Sequence, residues 1–257
     1  MAATVVIPAR FGSTRFPAKI VASDTGKPLV QHVVDQVKKC KHIERVIVAT
    51  DDQRIADALR PFETHVVMTS STHQSGTDRI AEVARGLSCD IVVNVQGDEP
   101  EIEPAIIDAL VRRLEEFPTD DMATACTPFP RGADPLDPNL VKVVLDHGGK
   151  AIYFSRSPIP YHRDADFSDG AAFSHGAAYH LHLGIYAYRR PFLLKFSGWP
   201  QTPLEKTEKL EQLRALEHGR SIYVLKIDRA THGIDTAEQY ADFVKRYRGM
   251  GVSPMPT

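Results

Sequence analysis

The stretch VVIPARFGSTRFPAKI, residues 5–20, decides how the rest of the chain is interpreted. It begins with a short apolar run, which is typical of a buried strand and which Pro8 is predicted to end. Positive side chains and small residues then follow within ten positions: Arg10, Gly12, Ser13, Arg15 and Lys19. Cations and open backbone N–H groups in one loop suit a triphosphate, because its several negative charges must be neutralised together. Ordinary surface charge on a β–α loop is the alternative.

Working outward, short β-branched runs alternate with amphipathic segments along the first half of the chain. Strands are predicted at 4–8, 45–50, 65–68 and 90–95, and helices at 29–40, 52–59, 77–85 and 104–117. This alternation predicts an α/β fold, with a mostly parallel central sheet flanked by helices on both faces. Such sheets bind ligands at the carboxyl ends of their strands. The opening loop, the turn at 51–52 and residues 96–98 are therefore expected along one rim.

The second half of the chain has a different pattern. Strands are predicted at 141–145, 151–154, 180–188 and 221–227, a loop at 157–176, and helices at 204–217 and 236–247. No repeat or low-complexity linker divides the chain, so we expect a single domain over residues 1–248. Within it, residues from about 150 to 200 are predicted to form an insertion, and the Gly- and Pro-rich residues 249–257 a flexible tail.

Composition excludes several classes of protein. Thirty-one basic and 33 acidic residues give a formal charge of −2, which argues against a nucleic-acid-binding protein. The three cysteines, Cys40, Cys89 and Cys126, are scattered and show no C-x-x-C spacing, which indicates a reducing compartment and no zinc site. No apolar run approaches the roughly 20 residues of a membrane span. We therefore expect a cytoplasmic protein without a nucleic-acid or membrane partner.

Two acidic residues far apart in sequence are candidates for one Mg²⁺ site. Asp98 lies in VQGDEP, residues 95–100, directly after an apolar strand, and Asp235 lies in GIDT, residues 233–236. Two carboxylates together with phosphate oxygens form a common set of ligands for Mg²⁺. The alternatives are a solvated turn for Asp98 and a helix cap for Asp235.

The segment HQSGTDR, residues 73–79, precedes a predicted helix. Its small polar residues are suited to hydrogen bonding with a pyrimidine edge, although Thr77 is equally suited to be a plain N-cap. Other nucleotide motifs do not match. Gly26-Lys27-Pro28 lacks the hydroxyl residue that follows the lysine of a P-loop, and no dinucleotide fingerprint is present. No Ser/His/Asp or Cys/His pattern indicates a covalent intermediate.

Taken together, the motifs resemble one enzyme family along most of the chain. They are IPARFGSTRFPAK, ATDD, HQSGTDR, VNVQGDEP, VKVVLD, YFSR, HLGIY, PLEKTEKLEQLR and GIDT, in order between about residues 4 and 247. The chain is similar in these to the 3-deoxy-manno-octulosonate cytidylyltransferases, or CMP-Kdo synthetases. The resemblance implies transfer of CMP from CTP to 3-deoxy-D-manno-octulosonate (Kdo), giving CMP-Kdo and diphosphate, for lipopolysaccharide biosynthesis. It also implies a nucleotide-diphospho-sugar transferase-like fold, a Mg²⁺ cofactor, and a homodimer whose dimerisation and sugar-binding region lies in the second half.

The same resemblance assigns roles to individual positions. It implies that CTP is bound by Arg10, Ser13, Arg15, Lys19, Ser75, Gly76, Thr77 and Gln96. It implies Asp98 and Asp235 as the metal ligands, which act in catalysis with Arg15 and Lys19. It implies a sugar-acid site formed by Arg156, His182, Glu211 and Gln212. From the residues alone, the alternatives are a solvated helix face for Glu211 and Gln212 and a hydrogen-bonded sheet histidine for His182.

Some positions depart from the family pattern, mostly near the expected sugar site. Ala18 stands where the family usually has Gly, Leu181 where a basic residue is frequent, and His232 where a smaller residue is usual, while residues 164–179 align poorly. Two alternative functions therefore stay open. One is cytidylyltransfer to a related sugar acid, an acylneuraminate or 8-amino-Kdo. The other is a non-catalytic nucleotide-binding homologue.

Overall fold

The computed structural model describes residues 1–13, 15–130, 133–161, 163, 179–228 and 233–249. Its strands are β1 (Ala3–Ala9), β2 (Arg45–Thr50), β3 (Val66–Met68), β4 (Ile91–Asn94), β5 (Met122–Pro128), β6 (Lys142–Leu145), β7 (Ala151–Ser155), β8 (His180–Arg189) and β9 (Ile222–Lys226). Its α-helices are α1 (Leu29–Val37), α2 (Gln53–Leu59), α3 (Gly76–Arg85), α4 (Pro104–Glu116), α5 (Arg190–Phe196), α6 (Pro203–Glu208), α7 (Leu213–Glu217) and α8 (Ala237–Gly249). None of the helices in these ranges is both long and apolar enough to span a bilayer.

The main sheet has the strand order β3-β2-β1-β4-β8-β5-β9 and is mostly parallel, as predicted. β1 pairs in parallel with β2 and β4, β2 with β3, and β5 with β9, whereas β8 runs antiparallel to both β4 and β5. The hairpin of β6 and β7 joins this sheet through β8. Strand β5 and helix α5 were not predicted from the sequence.

Helices cover both faces of the sheet. Successive residues of a strand point to opposite faces, so Val5 and Ile7 pack in one core with α1 and α4. Val6, between them, packs in a second core with α3, α5 and α7. A strand that is buried on both faces favours apolar residues at successive positions, which explains the apolar run at residues 5–7 of β1.

Proline does not end β1 as predicted. The strand continues to Ala9, and Pro8 stays in register with Ala49 of β2. Pairing with β4 on the other side stops at Val6. A proline, which has no N–H to donate, is accommodated there because β1 has one open side beyond Val6.

The predicted insertion is only partly separate from the main sheet. Of residues 150–200, the segment 180–189 forms β8, a central strand flanked by β4 and β5, which therefore belongs to the body of the domain. The β6–β7 hairpin is the described part that stands apart from the main strand order. Most of the poorly aligned segment, 164–178, lies outside the described residues. So do His232 and residues 250–257 of the predicted tail.

The prediction of one continuous helix at 204–217 is wrong. The chain forms α6 and α7 with a break between them, where Lys209 has a left-handed backbone (φ 53°). Leu204, which the helical pattern placed on the buried face, is 39% exposed, whereas Leu210 and Leu213 are buried. The break allows α6 to fold back towards α7, which a straight helix cannot do.

Candidate active site

The carboxyl ends of β1 and β4 approach each other closely at a glycine. A Cβ atom on Gly97 would lie 3.2 Å from both the carbonyl oxygen of Pro8 and Cδ1 of Ile20. Separations this short are tighter than most Cβ contacts, so a side chain here would force its neighbours to shift. Gly97 therefore lets the 96–98 loop pass directly beneath the opening loop, and this brings Asp98 to Lys19.

Lys19 lies between the two predicted metal ligands. Its Nζ donates to Oδ2 of Asp98 at 2.6 Å, to Oδ1 of Asp235 at 2.9 Å and to the carbonyl oxygen of Ile234 at 2.8 Å. Burial alone would lower the pKa of Lys19, but the two carboxylates outweigh it and raise that pKa above its ordinary value. The two acids, distant in sequence, thus meet at one ammonium group.

Arg15 adds a second cation to the same group, with its guanidinium 2.9 Å from Oδ2 of Asp235. We call Arg15, Lys19, Asp98 and Asp235 the phosphate rim. Within the described ranges, no group of three or more His, Cys, Asp or Glu side chains is placed to hold a metal ion. The oxygen atoms that surround the Lys19 ammonium are nevertheless a cation-binding set, because two are carboxylate oxygens and one is a carbonyl oxygen.

Asp235 reaches the rim because another residue caps the helix that follows it. Thr236 Oγ1 accepts from the backbone N of Gln239 at 3.3 Å, and Gln239 Oε1 accepts from the backbone N–H groups of Asp235 and Thr236. The Asp235 carboxylate is therefore free to face Lys19. The backbone N of Ile234 also donates to the carbonyl oxygen of Asp98 at 2.8 Å, which ties the two loops together.

The start of α3 corrects one expectation about Thr77. The N-cap is Ser75, whose Oγ accepts from the backbone N of Asp78 at 3.0 Å, and the Asp78 side chain accepts from the backbone N of Ser75 at 3.2 Å. Thr77 is buried and donates its hydroxyl to Glu211. A residue assigned to the nucleotide and a residue assigned to the sugar acid are therefore in direct contact.

The remaining residues assigned to CTP lie around this point. Arg10 is exposed and donates to the carbonyl oxygen of Gln74 at 3.3 Å. Ser13 is partly buried in the opening loop, and Gly76 packs against the ring of Pro8. Gln96 donates to the carbonyl oxygen of Gly184 at 3.2 Å, so it joins the rim to β8, the strand that carries His182.

His182 is held as a neutral imidazole with a defined orientation. Its Nε2 lies 3.0 Å from Oγ1 of Thr124, and that hydroxyl also lies 2.7 Å from the carbonyl oxygen of Ile185. A hydroxyl has one proton, which goes to the carbonyl, so His182 donates from Nε2 and keeps Nδ1 as an acceptor. Burial lowers the pKa of His182 to about 3.

Glu211 and Gln212 lie at the start of α7. The Glu211 carboxylate accepts from Thr77 and lies 3.4 Å from the guanidinium of Arg214. Burial raises the pKa of Glu211 above its ordinary value, and Thr77 and Arg214 oppose that shift. Gln212 is buried, and among the described residues its Nε2 has no hydrogen-bond partner. An amide donor without a partner in a buried position is suited to receive an acceptor from a ligand.

Arg156 is not brought together with the other residues assigned to the sugar acid. Its guanidinium donates to the carbonyl oxygens of Glu208 at 2.7 Å, Pro138 at 2.6 Å and Lys209 at 3.3 Å. Across the described ranges it makes no hydrogen bond or ion pair with His182 or Glu211. In this structure Arg156 satisfies carbonyl groups at the carboxyl end of α6.

A buried ion pair that the sequence pattern did not predict lies next to Glu211. Arg214 donates to Glu205 through Nε at 2.7 Å and through a terminal nitrogen at 2.5 Å, and both side chains are almost fully buried. The one local signal was the capping-box spacing of Thr202 and Glu205, which the structure contains. The pairing itself depends on the break at Lys209.

Comparison with known proteins identifies the family. A family model described as "Cytidylyltransferase" matches residues 4–222. The 3-deoxy-manno-octulosonate cytidylyltransferase of Geobacter sulfurreducens is 50% identical over 91% of this chain and 94% of its own length. The enzyme of the same name from Syntrophotalea carbinolica is 46% identical over 97% of this chain and 100% of its own.

Solved structures agree as well. A CMP:2-keto-3-deoxy-manno-octonic acid synthetase complexed with CTP superposes with a TM-score of 0.86 at 38% identity, over 98% of this chain and 99% of that one. A cytidylyltransferase of Leptospira borgpetersenii, at 18% identity and a TM-score of 0.62, shares the fold. The family model covers most of the chain and the curated relatives nearly all of it. The chain therefore belongs to the 3-deoxy-manno-octulosonate cytidylyltransferase family.

Proposed function

We propose that the protein transfers CMP from CTP to Kdo, giving CMP-Kdo and diphosphate. The observation that carries the proposal is the phosphate rim. Asp98 and Asp235, distant in sequence, converge on Lys19 and Arg15 at the carboxyl ends of the parallel strands. This is where open α/β sheets bind nucleotides. The family membership supports CTP and Kdo as the substrates.

We propose Mg²⁺ as the cofactor, held by Asp98 and Asp235. The fit rests on the donor set around Lys19, in which oxygen atoms from both acids already surround one positive charge. When bound, Mg²⁺ supplies Lewis-acid stabilisation of the charge on the phosphate oxygens. Arg15 and Lys19, the two cations of the phosphate rim, form ion pairs with these acids in this structure. In the proposed complex they neutralise the phosphates of CTP.

The reaction we propose is a direct in-line displacement. The anomeric hydroxyl of the sugar acid attacks the α-phosphorus of CTP, and diphosphate leaves with its charge neutralised by Arg15 and Lys19. Ser13, Ser75, Gly76, Thr77 and Gln96 stay proposals for the nucleoside side, with Arg10 beside the phosphates. No covalent enzyme intermediate is required.

The sugar acid is proposed to bind beside Thr77, Glu211 and His182. Nδ1 of His182 and the Glu211 carboxylate accept from sugar hydroxyls. The amide of Gln212, which has no hydrogen-bond partner among the described residues, donates to an oxygen of the sugar. Arg156 is the proposed partner of the sugar carboxylate. To take that role it must exchange its carbonyl partners for the ligand.

We also propose a homodimer, a cytoplasmic location and a place in lipopolysaccharide biosynthesis, on the basis of the family. The central position of β8 means that a dimer cannot form by adding a strand to it. The hairpin of β6 and β7 stands apart from the main strand order, with Ile152 62% exposed on β7. Size-exclusion chromatography with light scattering tests the dimer, and Ile152→Glu is the variant expected to weaken it.

The test of the function is an assay of diphosphate release with purified protein, CTP, Mg²⁺ and a panel of sugar acids. We expect turnover with Kdo to exceed that with 8-amino-Kdo or an acylneuraminate, and CTP to exceed UTP. A preference for another sugar acid would still support cytidylyltransferase activity but would contradict Kdo as the acceptor. Binding of CTP with no diphosphate release for any acceptor would identify a non-catalytic homologue.

A further inference from the structure

The Arg214–Glu205 pair is a costly feature for a protein to keep in its interior. Moving two charges from water into a protein interior costs free energy. Replacing such a pair by well-packed apolar residues of similar volume often leaves the protein as stable or makes it more stable. The side chains of Arg214 and Glu205 are only 6% and 5% exposed. Stability alone therefore does not account for the pair, and its neighbours indicate another purpose.

Every donor direction of the Arg214 guanidinium is used. Nε and Nη2 donate to Glu205, and Nη1 donates to the carbonyl oxygens of Phe196 at 3.3 Å and Trp199 at 3.5 Å. Nη2, which donates to Glu205, also lies 3.4 Å from Oε1 of Glu211. The guanidinium is planar and rigid, so contacts on three sides fix the one direction that faces Glu211.

The second oxygen of Glu211 is fixed from the opposite side. Oε2 accepts from the hydroxyl of Thr77, at the beginning of α3. The carboxylate is thus clamped between α7 and α3. The ionisable groups near it are Asp78 on α3, Arg214 on α7, and Tyr186 and Tyr188 on β8, and Lys206 and Lys209 line the same pocket. Of these cations, Arg214 is the one that forms an ion pair with Glu211, at 3.4 Å.

We propose that Arg214, anchored by Glu205, is a positioning residue that orients the Glu211 carboxylate for the hydroxyls of the sugar acid. The proposal deepens the proposed function and rests on the assignment of Glu211 to the sugar. Arg214 itself faces Glu205, Glu211 and backbone carbonyls. Its effect on the reaction therefore passes through Glu211.

The test uses the double variant Arg214→Met/Glu205→Gln. Removing Arg214 alone leaves Glu205 buried without a partner, whereas glutamine keeps the capping box of α6 and adds no charge. The matched control is Arg113→Met/Asp120→Asn. It removes another guanidinium–carboxylate pair, with contacts of 2.8 and 2.7 Å, at the amino end of β5 and thus at the opposite edge of the sheet.

We expect the KM for the sugar acid to rise about tenfold in the Arg214 double variant, while the KM for CTP changes less than about twofold. The acid limb of the pH profile should move up, because the positive charge that lowers the pKa of Glu211 is gone. The control variant should lose thermal stability without either change. Equal increases in the KM values for CTP and the sugar acid, or a pH profile identical to that of the control variant, would overturn the proposal.

A second measurement separates this inference from the proposed function. The pKa of the Glu211 carboxyl is followed by ¹³C NMR, with the signal assigned through Glu211→Gln. In the double variant the pKa should rise relative to wild type, whatever the acceptor substrate is. An unchanged pKa would contradict the role of Arg214, whereas a missing turnover of Kdo by wild type would contradict only the function.

Discussion

The phosphate rim and the cluster around Glu211 are both built from opposite charges, but they differ in their exposure to water. In the rim, the side chains of Arg15 and Asp235 are 59% and 42% exposed. In the Glu211 cluster, Arg214 and Glu205 are almost fully buried. Exposed ion pairs contribute little to stability and exchange partners readily, whereas a buried pair keeps its geometry.

The difference matches what each region must bind. A triphosphate brings its own charge and metal, so the cations of the rim must be able to leave the carboxylates and turn to the phosphates. A sugar acid is recognised mainly by the arrangement of its hydroxyls, which requires acceptors held in one place. Lys19, with a side chain only 10% exposed, is the most constrained member of the rim.

The largest loss of activity should follow from a substitution in the phosphate rim. Asp98→Asn removes one charge from the proposed metal site, and we expect the rate of diphosphate release to fall about a thousandfold, or about 4 kcal/mol in activation free energy. Asp242→Asn, which changes an exposed acid on α8, is the control and should leave the rate within twofold of wild type. Near-normal turnover of Asp98→Asn would refute the assignment of the metal ligands.

The next effect tests the contact between the two regions. Thr77→Val keeps the shape of the side chain but removes the hydroxyl that donates to Glu211, and we expect kcat/KM for the sugar acid to fall about tenfold. The acid limb of the pH profile should also move upward, because that hydrogen bond lowers the pKa of Glu211. Thr207→Val, at an exposed hydroxyl on α6, serves as the comparison. Equal kinetics for the two variants would mean that Thr77 does not act through Glu211.

A smaller effect concerns the folding stability of the protein at low pH, through the buried imidazole of His182. The pKa of His182 is lowered to about 3, while the unfolded chain binds that proton near pH 6.5. The unfolded state therefore gains a proton first, and folding stability falls as the pH decreases from 6.5 towards 3. Between pH 7 and pH 5 we expect His182 to contribute about 1–2 kcal/mol of this loss.

Urea unfolding at pH 7, 6 and 5 measures that contribution. His182→Gln should have a shallower decrease in stability than wild type. His32, a buried histidine outside the site whose pKa is lowered to about 4, keeps its own contribution in both proteins. Parallel curves for wild type and His182→Gln would show that His182 is not held neutral.

The smallest effect is in the loop that leads to Lys19. Ala18 has a left-handed backbone with φ 56°, which costs a residue with a Cβ about 1–2 kcal/mol more than glycine. Ala18→Gly should therefore raise the free energy of unfolding by about 0.5–1 kcal/mol after the greater entropy of glycine in the unfolded chain is counted. Ala22→Gly, at an ordinary φ of −58°, should instead lower it. The urea midpoints of both variants measure this, and a loss of stability in Ala18→Gly would contradict the strain at this position.

The sequence alone determined the alternation of strands and helices and the meeting of Asp98 with the opening loop. Both follow from local pattern, since apolar periodicity predicts the elements and the carboxyl ends of parallel strands share one edge. The motifs, in register along most of the chain, also identified the family. Nothing in a local pattern, however, shows the partner of a side chain that is distant in sequence.

Tertiary structure decided the rest. Glu205 and Arg214 lie nine positions apart, which places them on opposite sides of the continuous helix that the apolar pattern predicted. They meet because Lys209 adopts a left-handed backbone and α6 folds back, and Thr77 meets Glu211 because α3 and α7 cover the same face of the sheet. The central place of β8 was likewise set by pairing with β4 and β5 rather than by its own residues. Propensity and periodicity act over a few residues, whereas these contacts are selected by the packing of the whole chain.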